Sequence, residues 1–113
     1  MILIVNQFAI DNKYSLSYHI NMRYLDWDVA KNTQLRLERE VCFEDVVMAI
    51  ADDRVLDDFL HPNQKRYPNQ RMLVIEISHY AYIVPYVEDE DKIFFKTIIP
   101  SRKATKKYIM KGK

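Results

Sequence analysis

The segment from His61 to Arg71 concentrates side chains that could cleave a phosphodiester. It holds one histidine, two arginines and one lysine around two prolines, with the polar residues of an exposed loop. Cleavage of RNA needs a base for the 2′-hydroxyl proton, donors that stabilise charge on the phosphate oxygens, and an acid for the leaving oxygen. His61 is a candidate base or acid because its ordinary pKa lies near neutrality. Arg71 is a candidate phosphate clamp because its planar guanidinium carries parallel donors.

A second concentration of positive charge closes the sequence. The thirteen residues from Ser101 onward contain six Lys or Arg and no acidic residue, whereas the whole chain has a formal net charge of only +1. Arg102 and Lys103 fall in the first turn of a predicted helix, where positive charge opposes the helix dipole. That placement favours contact with an anion beside the free N–H groups of the helix start. An ordinary solvated surface is the competing interpretation for the outer lysines, Lys106, Lys107, Lys111 and Lys113.

The two basic segments together predict a groove for a phosphate backbone. The groove forms if the cations of both segments meet at one end of a sheet. In the competing interpretation, the loop is a polar surface and Arg71 pairs with a carboxylate such as Glu76. The cations that would have to meet are Lys65, Arg66, Arg71, Arg102 and Lys103.

Three helices and about four strands must position these side chains. Apolar spacing predicts one helix from Asp28, which caps it, to near Glu40, and a second over about residues 43 to 51. Ser101 caps the final helix. The last three strands have short connections and therefore form an antiparallel meander, and we expect an α+β fold with the helices packed on one face of the sheet. The predicted strands are Val55–Leu60, Met72–Ile77, Tyr80–Val87 and Ile93–Ile99.

Composition limits the chain to one domain with one core. It has 113 residues, 49% of them hydrophobic, and a single cysteine, Cys42, which can form no disulfide within the chain. We expect a cytoplasmic protein without metal or cofactor, because no segment reads as a signal peptide or a membrane span. Residues 22–113 form the predicted domain. Residues 1–21, with a short apolar run at Ile2–Val5, are either an accessory strand or a misassigned start before Met22.

Three segments carry recognisable motifs. Leu25–Asn32 contains Trp-Asp and Lys-Asn, Val41–Val46 contains Phe-Glu-Asp-Val, and Lys96–Thr105 ends in Arg-Lys-Ala-Thr. These motifs resemble the BrnT-type toxins of bacterial type II toxin–antitoxin pairs. The resemblance covers about residues 22–108, and its most specific part is the Arg-Lys-Ala-Thr element between a strand and a helix.

The resemblance implies a small endoribonuclease with a RelE-like fold, neutralised by a cognate antitoxin that often binds DNA. Any oligomer would form through that antitoxin. RNA would be cleaved without metal by attack of the 2′-hydroxyl, with Arg71, Arg102 and Lys103 stabilising the transition state and His61 moving the proton. The positions expected to bind RNA are Lys31, Lys65, Arg66, Lys106 and Lys107.

Two departures from the family favour a different function. Where the family usually has Lys-His-Gly after its first helix, this chain has Glu38-Arg39-Glu40, and Tyr108 lies near the place of the family's last-helix glutamate. The alternative is therefore a non-catalytic interaction domain of the same fold. Its basic end would bind a partner protein or nucleic acid, with strongly salt-dependent affinity and no RNA product.

Overall fold

A mixed β-sheet forms the centre of the molecule. The computed structural model describes residues 9–12, 15–20 and 23–110, and every structural statement below concerns these residues. The sheet consists of β1 (Ala9–Asn12), β2 (Ser15–Ile20), β3 (Arg23–Trp27), β4 (Val55–Leu60), β5 (Arg71–Ile77), β6 (Tyr80–Glu88), β7 (Lys92–Phe95) and β8 (Ile99–Pro100). Its order among the described residues is β1-β2-β3-β7-β6-β5-β4, with β8 pairing β6. The predicted run at Ile2–Val5 and the lysines at 111 and 113 lie outside the described residues.

The α+β class is confirmed, and the sheet is larger and more mixed than predicted. Strands β4 to β7 form the expected antiparallel meander. Strand β3, however, pairs with β7 in parallel, with Trp27 opposite Phe95. Strands β1 and β2 extend the sheet from β3. A prediction based on local turns missed this half of the sheet, because β3 and β7 are partners from distant parts of the chain.

The two N-terminal helices follow the predicted bounds closely. Helix α1 spans Val29–Arg39, and Asp28 caps it by accepting the Lys31 N–H. Helix α2 spans Phe43–Ala51. Asn32 joins the two helices, because its side chain accepts the Phe43 N–H at 2.7 Å and donates to Glu44 at 2.8 Å. The asparagine of the Lys-Asn motif is thus buried and caps α2.

The predicted strand Ile93–Ile99 is interrupted. Pairing with β6 joins Phe95 to Tyr86 and resumes between Ile99 and Ile83, so β7 and β8 lie on one edge of β6 with residues 96–98 between them. The Lys96 N–H donates to Pro85 O at 2.8 Å within this break. Because successive strand side chains alternate between faces and Phe95 is in the core, Lys96 turns to the opposite face.

Helices cover both faces of the sheet, which corrects the prediction of one face. Leu73 and Ile75 of β5 pack with residues of α1 and α2 in the main core. Val74, which points the other way, packs instead with Ala104 in a second cluster. We call the first side the helix-covered face and the second side the open face, since only one short helix lies on it. That C-terminal helix consists of α3 (Arg102–Ala104) and a π-helical segment, Thr105–Ile109.

Two hydrogen-bonding residues position the C-terminal helix. Ser101 caps it as predicted, accepting the Ala104 N–H at 3.0 Å. The buried Thr105 hydroxyl accepts the Ala81 N–H at 2.9 Å and donates to Ser101 O at 2.8 Å. The helix is therefore tied to β6 at Ala81. No helix in the described part of the chain is long and apolar enough to cross a membrane.

Candidate functional site

Arg71 lies on the helix-covered face in a network of three side chains. The pairing of β5 with β6 places Arg71 opposite Tyr86, and the pairing of β4 with β5 brings Asp58 alongside. Arg71 Nε lies 3.3 Å from Asp58 Oδ1 and 3.1 Å from Tyr86 Oη. The Tyr86 hydroxyl donates to the same Asp58 oxygen at 2.8 Å. Arg71 also donates from Nη2 to the Asp58 carbonyl at 3.4 Å.

This network neutralises the Arg71 charge locally. The Asp58 side chain is only 11% exposed and that of Arg71 is 28% exposed, so the ion pair is well shielded from water. Burial and the hydrogen bond to Asp58 raise the pKa of Tyr86, which keeps its hydroxyl protonated. The pairing of Arg71 with a carboxylate was one of the two interpretations of the sequence, and the partner is Asp58. The other candidate, Glu76, instead faces His79 at 3.5 Å.

His61 begins the loop that joins β4 to β5. Its N–H donates to Gln70 O at 2.8 Å, so the ladder between the two strands extends one pair into the loop. The His61 Nδ1 atom accepts the Asn63 N–H at 2.9 Å. The neutral ring therefore carries its proton on Nε2 and presents a donor there. The centre of the His61 ring lies 4.5 Å from the centre of the Tyr67 ring. The Arg66 guanidinium lies 5.5 Å from the centre of the same Tyr67 ring.

Strand alternation places His61 on the open face. Phe59 pairs with Met72, and two residues further along the ladder His61 pairs with Gln70. Side chains two residues apart share a face, so Phe59 and His61 both lie on the face of Val74. Gln70 is buried, and its side-chain oxygen accepts a hydrogen bond from Lys96 Nζ at 3.2 Å. The same face of the sheet therefore carries a histidine, a buried amide and a lysine side by side.

A groove of about 260 Å³ opens on the same face between β4 and the C-terminal helix. Phe59, Val74 and Ile83 form its apolar floor and wall. Lys103 and Lys107 line its helix side, and since they are four residues apart they project in similar directions. The remaining lining residues are Ser101, Ala104 and Tyr108.

Asp57 anchors the helix side of this groove. A bulge in β4 shifts the register between Val55 and Asp57 and so places Asp57 on the open face, and ordinary strand alternation turns Asp58 to the helix-covered face. Asp57 accepts a short hydrogen bond from the Tyr108 hydroxyl. That hydrogen bond lowers the pKa of Asp57, and the nearby Lys107 charge acts in the same direction.

The structure separates the cations that were expected to form one cluster. Arg71 lies on the helix-covered face, whereas Lys103 lines the groove on the open face. The Ser101 N–H donates to Ala81 O, five residues along β6 from Tyr86, which corresponds to roughly 17 Å of strand. Arg102 therefore leaves the sheet far from Arg71. The other predicted contacts to RNA are scattered, with Lys65 and Arg66 in the β4–β5 loop, Lys106 and Lys107 on the C-terminal helix, and Lys31 in the first turn of α1.

Several residues of the two sites were not predicted from the sequence. Phe59 and Lys96 read as ordinary strand residues, and Gln70 as part of the loop. The pair Asp57-Asp58 inside an otherwise apolar strand was the available signal, because acidic residues are depleted in strands unless they have a specific partner. Their partners, Tyr108 and Tyr86, lie far away in the chain.

The described residues contain no group of three or more His, Cys, Asp or Glu side chains that could hold a metal ion. No family model, no curated protein and no solved structure matches the chain.

Proposed function

We propose that this chain is the toxin component of a type II toxin–antitoxin pair and cleaves RNA by attack of the 2′-hydroxyl, as its resemblance to the BrnT-type toxins implies. One observation supports the proposal above the others. The open face carries His61 with a donor at Nε2, and the same face carries Lys96, Lys103 and Lys107. A proton donor and several cations on one accessible surface are the groups that this reaction requires.

His61 acts as the general acid in this proposal. The 2′-hydroxyl attacks the phosphorus atom and releases its proton to water, and the bond to the 5′-oxygen breaks. That oxygen takes the Nε2 proton from the imidazolium form of His61, which is left as a neutral ring with its proton on Nδ1. The lysines stabilise the negative charge that develops on the phosphate oxygens. The Asn63 N–H donates to Nδ1 in the neutral ring, so the imidazolium form gives up this hydrogen bond when Nδ1 takes up a proton.

Arg71 takes a positioning role in place of the predicted phosphate clamp. Its Nε is already bound to Asp58 and Tyr86, and its Nη2 to the Asp58 carbonyl. These contacts join β4, β5 and β6 directly below the loop that begins at His61. Arg71 therefore holds the base of that loop, and Lys103 remains the predicted catalytic cation that faces the groove.

Substitution of His61 tests the proposal. We expect His61→Asn to reduce RNA cleavage by the purified protein about 100-fold or more, because the amide oxygen can replace Nδ1 as acceptor while the proton donor is lost. His79→Asn is the matched control, since His79 lies in the exposed turn between β5 and β6 at a positive φ that asparagine tolerates. Growth arrest on induction and cleavage of a labelled RNA in EDTA provide the two readouts. An inert wild-type protein, or equal activity of both variants, would contradict the proposal.

The ion pair of Arg71 with Asp58 favours a second candidate, the non-catalytic interaction domain, because a guanidinium paired in this way is not available to bind a phosphate. In that case, the basic surface binds a partner protein or RNA without reaction. Co-expression with the neighbouring gene discriminates between the two. Relief of growth arrest by the neighbour supports the toxin, whereas tight, salt-sensitive association without any growth arrest supports the interaction domain.

A further inference from the structure

The groove on the open face combines an aromatic wall with two lysines. Phe59 is 36% exposed although it belongs to a strand, and the floor beneath it consists of Val74 and Ile83. We propose that this groove is a pocket for one unstacked base of single-stranded RNA, with the base against Phe59 and its phosphate at Lys103 and Lys107. This inference rests on the proposed RNA substrate and goes beyond it, because it assigns a subsite and a mode of recognition.

The size and the lining of the groove fit a base. Its volume of about 260 Å³ lies below the range of about 300–1,000 Å³ in which drug-sized ligands bind, so it suits a single flat ring system. The Phe59 ring offers a face for stacking, which recognises every base because each has a π-face. Unstacked bases of this kind are the usual targets of proteins that bind single-stranded RNA.

The lysines supply charge at the edge of the pocket. Lys103 has no ion-pair partner among the described residues, and Lys107 shares its surroundings with Asp57 and the Tyr108 ring. Both face the groove from one side of the C-terminal helix. A phosphate between them would lie at the mouth of the pocket while the attached base occupies the apolar part.

The neighbouring strand edge argues against an extended peptide in the groove. Strand β4 ends the sheet among the described residues, and a peptide would bind there through main-chain hydrogen bonds. The chain itself uses the Asp58 main-chain groups, because the N–H donates to Asp57 Oδ1 at 2.8 Å and the carbonyl accepts from Arg71 Nη2 at 3.4 Å. The main-chain groups of the strand edge beside Phe59 are thus already hydrogen-bonded within the chain, whereas the Phe59 ring is accessible to a ligand.

The pocket lies next to the proposed general acid. His61 follows Phe59 by two residues, and both side chains are on the open face. A base held at Phe59 would place the adjoining phosphodiester towards His61 and Lys96. The pocket therefore selects which phosphodiester of a single strand reaches the catalytic residues.

Binding to uncleavable RNA tests the pocket separately from catalysis. The probe is a single-stranded RNA ten-mer with 2′-O-methyl groups on every ribose, together with the same backbone lacking all bases. We expect Phe59→Ala to weaken binding of the ten-mer about fivefold or more and to leave the baseless backbone unaffected. Lys103→Gln should lower the slope of log affinity against log salt by about one.

Matched variants serve as controls. Leu37→Ala removes an exposed apolar side chain from α1, and Arg36→Gln removes one positive charge from the same helix on the other side of the sheet. Both should bind the ten-mer as the wild type does. Phe59→Tyr should restore binding, and thermal unfolding of each variant excludes loss of folding as the cause.

The remaining outcomes separate the two proposals. Binding that depends on Phe59, with no cleavage of ordinary RNA, supports the pocket and overturns the ribonuclease. Equal binding of Phe59→Ala and wild type to the ten-mer overturns the pocket, whatever the cleavage activity. Loss of association with the neighbouring gene's product in Phe59→Ala, with RNA binding intact, would show a protein-docking groove and also overturn the proposal.

Discussion

At the scale of single residues, the residue types that could carry chemistry were easier to identify than the partners that surround them. His61 and Lys103 were predicted from residue type, and both lie on the open face. The role of Arg71 was not predictable, because its partners Asp58 and Tyr86 are 13 and 15 residues away and meet it only through strand register. Sequence shows that a guanidinium is present, but only the sheet determines whether it is free.

The Arg71 network should contribute strongly to stability. We expect Asp58→Ala to lower the free energy of unfolding by about 2 kcal/mol, because it leaves a shielded guanidinium and the buried Tyr86 hydroxyl without their acceptor. Chemical denaturation with urea measures the change. Glu90→Ala, at an exposed carboxylate in the β6–β7 turn, should change stability by less than about 0.5 kcal/mol. Similar values for the two variants would contradict this account of Asp58.

At the scale of elements, local signals predicted the helices and the strands of the antiparallel meander. Asp28 and Ser101 capped helices as expected, and α2 begins at Phe43 as predicted. The break after Phe95 was not predictable, because residues 96–98 contain no glycine, proline or other typical turn residue. The prediction that all helices pack on one face was wrong for the C-terminal helix, because its contacts with Ala81 and Asp57 are long-range and leave no local signal.

The stability that the C-terminal helix gains from its hydrogen bond to Asp57 should decrease at acidic pH. The lowered pKa of Asp57 arises mainly from its hydrogen bond to Tyr108, so the charged carboxylate stabilises the folded chain above the unfolded pKa of about 3.9. That stabilisation is lost as pH falls through the still lower folded value. We expect wild type to exceed Tyr108→Phe in unfolding free energy by a constant amount above about pH 5 and the difference to vanish at strongly acidic pH.

Unfolding in urea at a series of pH values from 2 to 7 provides the measurement. Tyr80→Phe serves as the control, because the Tyr80 ring packs on Tyr82, which contacts the core on the helix-covered face, opposite the C-terminal helix. Lys107 and the Asp58 N–H also face Asp57 and are unchanged in both variants. A difference between wild type and Tyr108→Phe that grows towards acid would contradict the assignment.

At the scale of the whole molecule, the class of the fold was predictable and the topology only in part. The antiparallel meander follows from short connections. The parallel contact between β3 and β7 joins the start of the domain to its last third and leaves no local trace in the sequence. The strands β1 and β2 lie outward from β3, and β3 itself contributes Leu25 to the core.

A chain that begins at Met22 should therefore still fold. We expect it to unfold cooperatively and to retain most of the free energy of unfolding, because β3 and both described core clusters are kept. The free edge of β3 should, however, increase self-association. Urea denaturation and size-exclusion chromatography measure the two effects. A truncated chain without a cooperative transition would show that residues 1–21 belong to the folding unit.

The bulge in β4 has a mechanical consequence. It determines that Asp57 points to the open face and Asp58 to the helix-covered face, so one aspartate ties β4 to the C-terminal helix and the next ties it to Arg71 and Tyr86. Terminal strands of a sheet usually detach first and exchange their amide hydrogens fastest. Here β4 can peel away only if a bond on each side breaks at the same time. The outermost strand thus links the structures on the two faces of the sheet, and we expect its amide hydrogens to exchange more slowly than those of an ordinary terminal strand.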